Sequence, residues 1–152
     1  MPDLDAIYSE VIMEHYKHPR NRGVVENATH ENRCDNPLCG DKIHLTLWVE
    51  DRRIEDAKFS GDGCAISQAS ASIMTEMVSG MSITDAKELE AEFRKMLLEE
   101  DHQPDAEKLG DLIALQGVKQ LHARVKCAVC AWHALDAALS GVATVSTERE
   151  ED

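Results

Sequence analysis

An α+β fold, with a small antiparallel three-stranded sheet and helices packed on one side, is what this sequence predicts. Three observations carry the prediction. Ile43, Leu45, Leu47 and Val49 alternate with Lys42, His44, Thr46 and Trp48, the period-two pattern of a half-buried strand. The turn Asp51-Arg52-Arg53 leads straight into a second β-compatible run, Ile54 to Ser60, so the two pair as a meander. Apolar residues at helical spacing then dominate both ends of the chain, with no strand between the later helices to demand a parallel sheet.

Taken in order, Leu4, Ile7, Tyr8, Val11, Ile12, His15 and Tyr16 form one face of a helix from about Leu4 to Lys17, which Pro19 stops. His15 and His18 are spaced as two ligands would be on a helix, but no acidic or thiol partner accompanies them in sequence. A packed or solvated histidine is the simpler reading of each. The polar stretch Ala28 to Asp35 is an edge-strand candidate. Within the return strand, Ile54 is out of phase with Ala57 and Phe59, which predicts a bulge. Gly61-Asp62-Gly63 ends the sheet, and Cys64 opens a slim helix, Ala65 to Val78, whose Ile66, Ala69, Ile73 and Met77 form a packing stripe. Ser82 with Asp85 is a capping signal for the next helix, through about Leu98. Glu99 to Lys108 reads as an exposed connection, and Leu109, Leu112, Ile113 and Leu115 as a short helix ending at Gly117. A last helix runs from about His122 to Leu139, with Gly141 as its C-cap. Residues 1–141 are expected to form one domain, and 142–152 a disordered acidic tail.

Composition narrows the function classes. The formal net charge is −13, of which the last five residues supply −3. An acidic body repels phosphate backbones, so no nucleic-acid partner is expected, and a partner with a basic docking face fits better. No apolar run approaches the roughly 18 residues of a membrane span, and the first residues lack the basic start of a signal peptide; the expectation is a cytoplasmic protein with no membrane partner. Five cysteines cannot all pair within one chain, and in a reducing compartment such thiols point to metal ligation or thiol chemistry.

The candidate site comprises Cys39, Asp41, Cys64 and Cys127. Cys39-Gly40-Asp41 sets a thiolate and a carboxylate two residues apart across a glycine that tolerates a converging turn. Cys64 stands at a helix N-terminus, where backbone N–H groups favour negative charge, and Cys127 lies early in the last helix, beside Arg124 and Lys126. Three thiolates and a carboxylate suit tetrahedral zinc, or iron in a cluster. Arg124, Lys126 and Lys42 are the cations expected to neutralise part of so anionic a centre. An aspartate among the ligands favours a working site over a structural one, since structural sites usually use cysteine and histidine. A rival set is a structural zinc on Cys34, Cys39, Cys127 and Cys130, although Cys130 falls on the apolar face of its helix.

Four motifs then carry a resemblance. They are Tyr8 to Asn21 of the opening helix, Asn36-Pro37-Leu38-Cys39-Gly40-Asp41, Gly63-Cys64-Ala65-Ile66-Ser67, and Arg124-Val125-Lys126-Cys127-Ala128. In this order they resemble the IscU/SufU (NifU N-terminal-like) family of iron–sulfur cluster assembly proteins over the whole chain except the acidic tail. The resemblance implies a SufE/IscU-like fold. Lys126 stands where the scaffold branch has a histidine, that branch's Leu-Pro-Pro-Val-Lys segment is absent, and the interval from Cys64 to Cys127 is longer by about a helix and a loop. These features are similar to the SufU branch, which implies a zinc-dependent sulfurtransferase. On that reading Cys39 accepts persulfide sulfur, Asp41, Cys64 and Cys127 complete the zinc site, and the partner is a SufS-type cysteine desulfurase that holds the pyridoxal phosphate. Suf scaffold proteins are further expected partners. His122 departs from the family, which often has proline there. The alternatives are a scaffold that assembles a transient [2Fe–2S] cluster on the same ligands, and a zinc-stabilised interaction module without catalysis.

Overall fold

The computed structural model describes residues 3–37, 40–141 and 145–146, with side chains described from residue 10 on and not for Val145 and Ser146. Helix α1, Asp3–Lys17, leads through an extended crossing into the strands β1 (His30–Asn36), β2 (Asp41–Glu50) and β3 (Arg53–Asp62). Helices α2 (Ala65–Val78) and α3 (Ile83–Leu98) follow, then the short α4 (Ala106–Leu109), a 3₁₀ segment (Gly110–Gln120) and α5 (His122–Ser140).

β1, β2 and β3 form the expected antiparallel meander, in the sheet order β3-β2-β1-β4. β4 is only Val145–Ser146, lying parallel to β1 opposite Cys34 and Asp35. The rest of the segment expected as an acidic tail lies outside the described residues. The register shifts between Trp48 and Val49, opposite Ile54 and Asp56, which is the bulge that the phase of Ile54 predicts. It lets Ile54 turn inward with Ala57 and Phe59, all three fully buried.

The inner face of the sheet, Cys34, Ile43, Leu45, Leu47 and Phe59, is covered by α5 and α2. Slimness lets α2 sit centrally, against α1, α5 and β3. Its small hydroxyls are buried and each has a partner. Ser70 Oγ donates to the carbonyl of Ala128 at 2.6 Å and accepts from Trp132 Nε1 at 3.0 Å, tying α2 to α5. Ser72 Oγ meets His15 Nδ1 and accepts the amide of Arg20, both at 2.8 Å, tying α2 to α1. Burying these hydroxyls without partners would cost about 1–3 kcal/mol each. The exposed edge of β3 is covered in turn by the chain after α1: the amide of Phe59 donates to Asn21 O at 3.0 Å and that of Gly23 to Phe59 O at 2.8 Å.

Ser82 accepts the Asp85 amide at 3.0 Å and starts α3, and Gly141, at φ 83°, caps α5. One expectation is corrected. The region after Glu99 holds the four-residue α4, and the next element is a 3₁₀ segment that continues past Gly117 to Gln120. Leu109, Leu112, Leu115 and Val118 are buried at intervals of three residues. Side chains at i and i+3 stack on one side of a 3₁₀ helix, so that spacing buries a single stripe only in the tighter coil. β1 is also displaced, starting at His30 and extending to Asn36, which matters for the site below. Among the described residues no helix is long and apolar enough to cross a membrane.

Candidate metal centre

Three segments distant in sequence meet at one end of the sheet. Asp41 is the first residue of β2, Cys64 is the residue that opens α2, and Cys127 lies in the second turn of α5. One carboxylate oxygen of Asp41 and the two sulfurs all lie within 4.8 Å of one another. Asp41 and Cys127 are buried, and Cys64 is half-buried. Cys39, the fourth expected ligand, lies outside the described residues. Arg124 is exposed and Lys126 half-buried on the first turns of α5; Lys126 and His122 line a cleft of about 270 Å³ together with Leu97, Leu98 and Lys119.

The Asp41 carboxylate is held on both oxygens. Oδ1 accepts the Cys64 amide at 2.9 Å and the Ser67 hydroxyl at 3.1 Å, while Oδ2 accepts Asn36 Nδ2 at 2.9 Å. Asn36 Nδ2 also donates to Cys127 Sγ at 3.3 Å. Burial pushes the Asp41 carboxyl up, but the Cys64 amide, the Cys127 thiol, Asn36 and Ser67 together outweigh it and hold the group below its ordinary value. The aspartate therefore stays an anion in a buried place, which is the form a cation needs.

Asn36 and Ser67 are the site residues that sequence reasoning passed over, although both stand inside the quoted motifs. Asn36 faces Asp41 because the two are paired across β1 and β2 at the mouth of the turn. Ser67 sits one helical turn beyond Cys64, so its hydroxyl returns to the helix start, 3.1 Å from the Cys64 carbonyl. Gly63 completes the cradle: a Cβ there would lie 2.3 Å from Ser67 Oγ and 2.6 Å from Asp41 Oδ1. Its hydrogen is what permits the carboxylate to approach the helix start.

Cys34 and Cys130 are fully buried free thiols. Cys34 hydrogen-bonds the Cys130 thiol, which this contact and burial push far above its ordinary value, so Cys130 is held protonated. Cys34, Cys127 and Cys130 do not form a three-ligand group, whereas Asp41, Cys64 and Cys127 do. His15 and His18 do not converge either: His18 is exposed, and His15 is buried with its Nε2 4.0 Å from Asp111 Oδ2. Burial and the nearby Arg20 lower the His15 pKa against the pull of Glu76, Asp111 and Glu14. With Glu76 and Asp111 it makes a second carboxylate–imidazole cluster, whose two acids are exposed.

An α+β domain that gathers two thiols and a buried carboxylate from three remote segments offers the donor set of a metal-thiolate site. The chain is a member of the family described as the NifU-like N terminal domain, whose model matches residues 7–128. It is 45% identical over 134 residues to the zinc-dependent sulfurtransferase SufU of Bacillus subtilis, covering 88% of this chain and 90% of that one. It is 40% identical over 136 residues to the iron–sulfur cluster assembly scaffold protein IscU of Thermotoga maritima, covering 90% and 94%. Among solved structures, the SufU of Fervidobacterium islandicum, described as an iron–sulfur cluster assembly scaffold protein for the SUF system, superposes with a TM-score of 0.82 at 37% identity, covering 88% of this chain and 97% of that one.

Proposed function

We propose that this protein is a zinc-dependent sulfurtransferase that takes persulfide sulfur from a SufS-type cysteine desulfurase for iron–sulfur cluster biogenesis in the cytoplasm. The observation that carries the reading is the convergence of the Asp41 carboxylate with the Cys64 and Cys127 thiols. The donor set fits zinc: two soft sulfurs and a carboxylate held by the Cys64 amide, Asn36 and Ser67, with Cys39 as the fourth ligand two residues before Asp41. Bound there, zinc holds its thiol ligands as thiolates near neutral pH.

The chain's own residues divide the work. Asn36, Ser67 and the Cys64 amide orient the Asp41 carboxylate, and Gly63 leaves room for it. Cys39 is the acceptor. Its thiolate attacks the outer sulfur of the desulfurase cysteine persulfide, the donor S–S bond breaks, and the desulfurase cysteine leaves as a thiolate while Cys39 becomes the persulfide. Cys64 opens a helix and Cys127 lies within one, whereas Cys39 falls in sequence between the end of β1 and the start of β2, so we take Cys39 as the ligand whose exchange disturbs the least regular structure.

Incubation with a cysteine desulfurase and cysteine, followed by mass spectrometry, should place the extra sulfur on Cys39. Cys39→Ser should abolish both that mark and the stimulation of desulfurase turnover. Sulfur found mainly on Cys34 or Cys130, with the variant still stimulating, would overturn the reading. Similarity to the Thermotoga IscU favours a second reading, a scaffold for a transient [2Fe–2S] cluster on the same ligands. Metal analysis after mild purification separates the two, since zinc at about one per chain fits the first and iron with sulfide the second.

A further inference from the structure

At the far end of α2 from the thiol centre, a second set of ligand-type side chains converges from three elements. His15 comes from the last turn of α1, Glu76 from the last turn of α2 and Asp111 from the first turn of the 3₁₀ segment. Each offers a nitrogen or a carboxylate oxygen within 4.8 Å of the other two. Cys64 opens α2 and Glu76 closes it, so the two stand about 18 Å apart along the helix axis, and the two clusters are separate.

His15 gives the cluster its direction. It is 3% exposed, and its Nδ1 meets Ser72 Oγ at 2.8 Å. Ser72 Oγ accepts the Arg20 amide on one lone pair and has a second for an Nδ1–H. That tautomer leaves a lone pair on Nε2. Among the described residues Nε2 has no hydrogen-bond partner, and it stands 4.0 Å from Asp111 Oδ2, too far for one. Burial first, then the charge of Arg20, lower the His15 pKa, so the ring is the neutral imidazole that ligates metals.

The two acids lack the partner that their position calls for. Glu76 stands at the C-terminal end of α2, where the helix dipole favours a cation, and that turn has no basic residue. Among the described residues neither Glu76 nor Asp111 is paired with a lysine or arginine. The Arg20 guanidinium is turned to Glu14 Oε2 at 3.2 Å and to the His18 carbonyl at 3.0 Å. Both acids are exposed and free to close on the fixed imidazole, to the roughly 3–3.5 Å that separates donors on an ion bound at about 2.1 Å.

We propose that His15, Glu76 and Asp111 bind a divalent first-row transition-metal ion, with water filling the open coordination positions. One imidazole and two carboxylates suit such an ion, and the two negative charges match its own. No thiolate is present to draw the soft metal of the other centre. The ion clips the end of α1 to α2 and the 3₁₀ segment, whether or not Cys39 accepts sulfur.

The test uses the zinc-loaded full chain and Mn²⁺, a paramagnetic probe that prefers oxygen and nitrogen donors to thiolate. Electron paramagnetic resonance of the free ion should show saturable uptake. In NMR, the His15 ring signals, assigned through His15→Asn, and the Glu76 and Asp111 amide signals should broaden before those of Cys64 and Ser67. Glu76→Gln and Asp111→Asn change exposed side chains without changing their shape, and each should weaken Mn²⁺ binding by about tenfold or more. His15→Asn keeps a nitrogen for Ser72, removes Nε2, and should do the same. Glu55→Gln, at an exposed acid on β3, should leave the affinity unchanged. No saturable uptake would overturn the site, and so would broadening that begins at the thiol centre. An equal loss in Glu55→Gln would overturn it by showing that the acidic surface merely gathers cations. Unchanged affinity in His15→Asn would overturn it by showing an adventitious ion only, held on two carboxylates. Folded Glu76→Gln and Asp111→Asn variants that keep wild-type affinity would overturn it too. Should His15→Asn unfold, the amide signals and the variants at the exposed acids decide.

Discussion

Gly63 is the residue on which the candidate centre depends without offering a ligand. Any side chain there would strike Ser67 Oγ or Asp41 Oδ1, at 2.3 and 2.6 Å from its Cβ. Gly63→Ala should therefore displace the carboxylate and weaken zinc binding by about tenfold or more in chelator competition, with far-UV circular dichroism unchanged. Undiminished affinity would show that the Asp41 cradle takes no part in holding the metal. Cys34 and Cys130 predict the reverse. They sit in the core with Cys130 held protonated, so the Cys34→Ser/Cys130→Ser double variant should keep its zinc stoichiometry while losing about 1–3 kcal/mol of stability for buried hydroxyls. Loss of zinc in that variant would move the site to the rival cysteine set.

At the scale of the element, α3 carries an internal charge that its sequence conceals. Glu90 looks like one of many acids on an exposed helix, yet it is 5% exposed, and burial raises its pKa to about 6 from 4.5 despite Arg94 Nη1 at 2.7 Å; Asp136 on α5 pushes it the same way. A carboxyl whose folded value is raised contributes stability that is fully present below 4.5 and lost as pH rises through 6. Glu90→Gln should accordingly stabilise the protein at neutral pH by on the order of 1 kcal/mol, with the gap to wild type closing below pH 4.5. Denaturant unfolding at the two pH values measures this. A variant less stable at neutral pH would show that the Arg94 pair outweighs the burial.

Across the whole molecule, the core and the centre are separate constructions. Phe93 and Trp132 meet with ring centres 5.0 Å apart, and with Phe59, Leu45 and Leu115 they are buried away from solvent regardless of any metal. Chelator-treated protein should thus keep its secondary structure and a cooperative melt, losing only the stability that metal binding adds by mass action. Unfolding on metal removal would instead fit a zinc-stabilised interaction module.

Periodicity alone determined most elements, because a strand or helix with one buried face must write that face into its sequence: the alternation of β2, the stripe of α2, the Ser82 cap and the phase break at Ile54 were all legible. The cysteine at the head of a helix was legible as well, since Gly61-Asp62-Gly63 ends the strand just before it. The sequence reads only as a short helix ending at Gly117 where a 3₁₀ segment runs on to Gln120, its period of three being too near 3.6 to separate over so few turns. Only the tertiary structure decided that Asn36 and Ser67 hold Asp41 and that Cys34 and Cys130 face each other. Asn36 reaches Asp41 through the register of β1 on β2, and the other pairings join residues brought together by how α2 and α5 pack on the sheet; contacts of either kind leave no period in the chain.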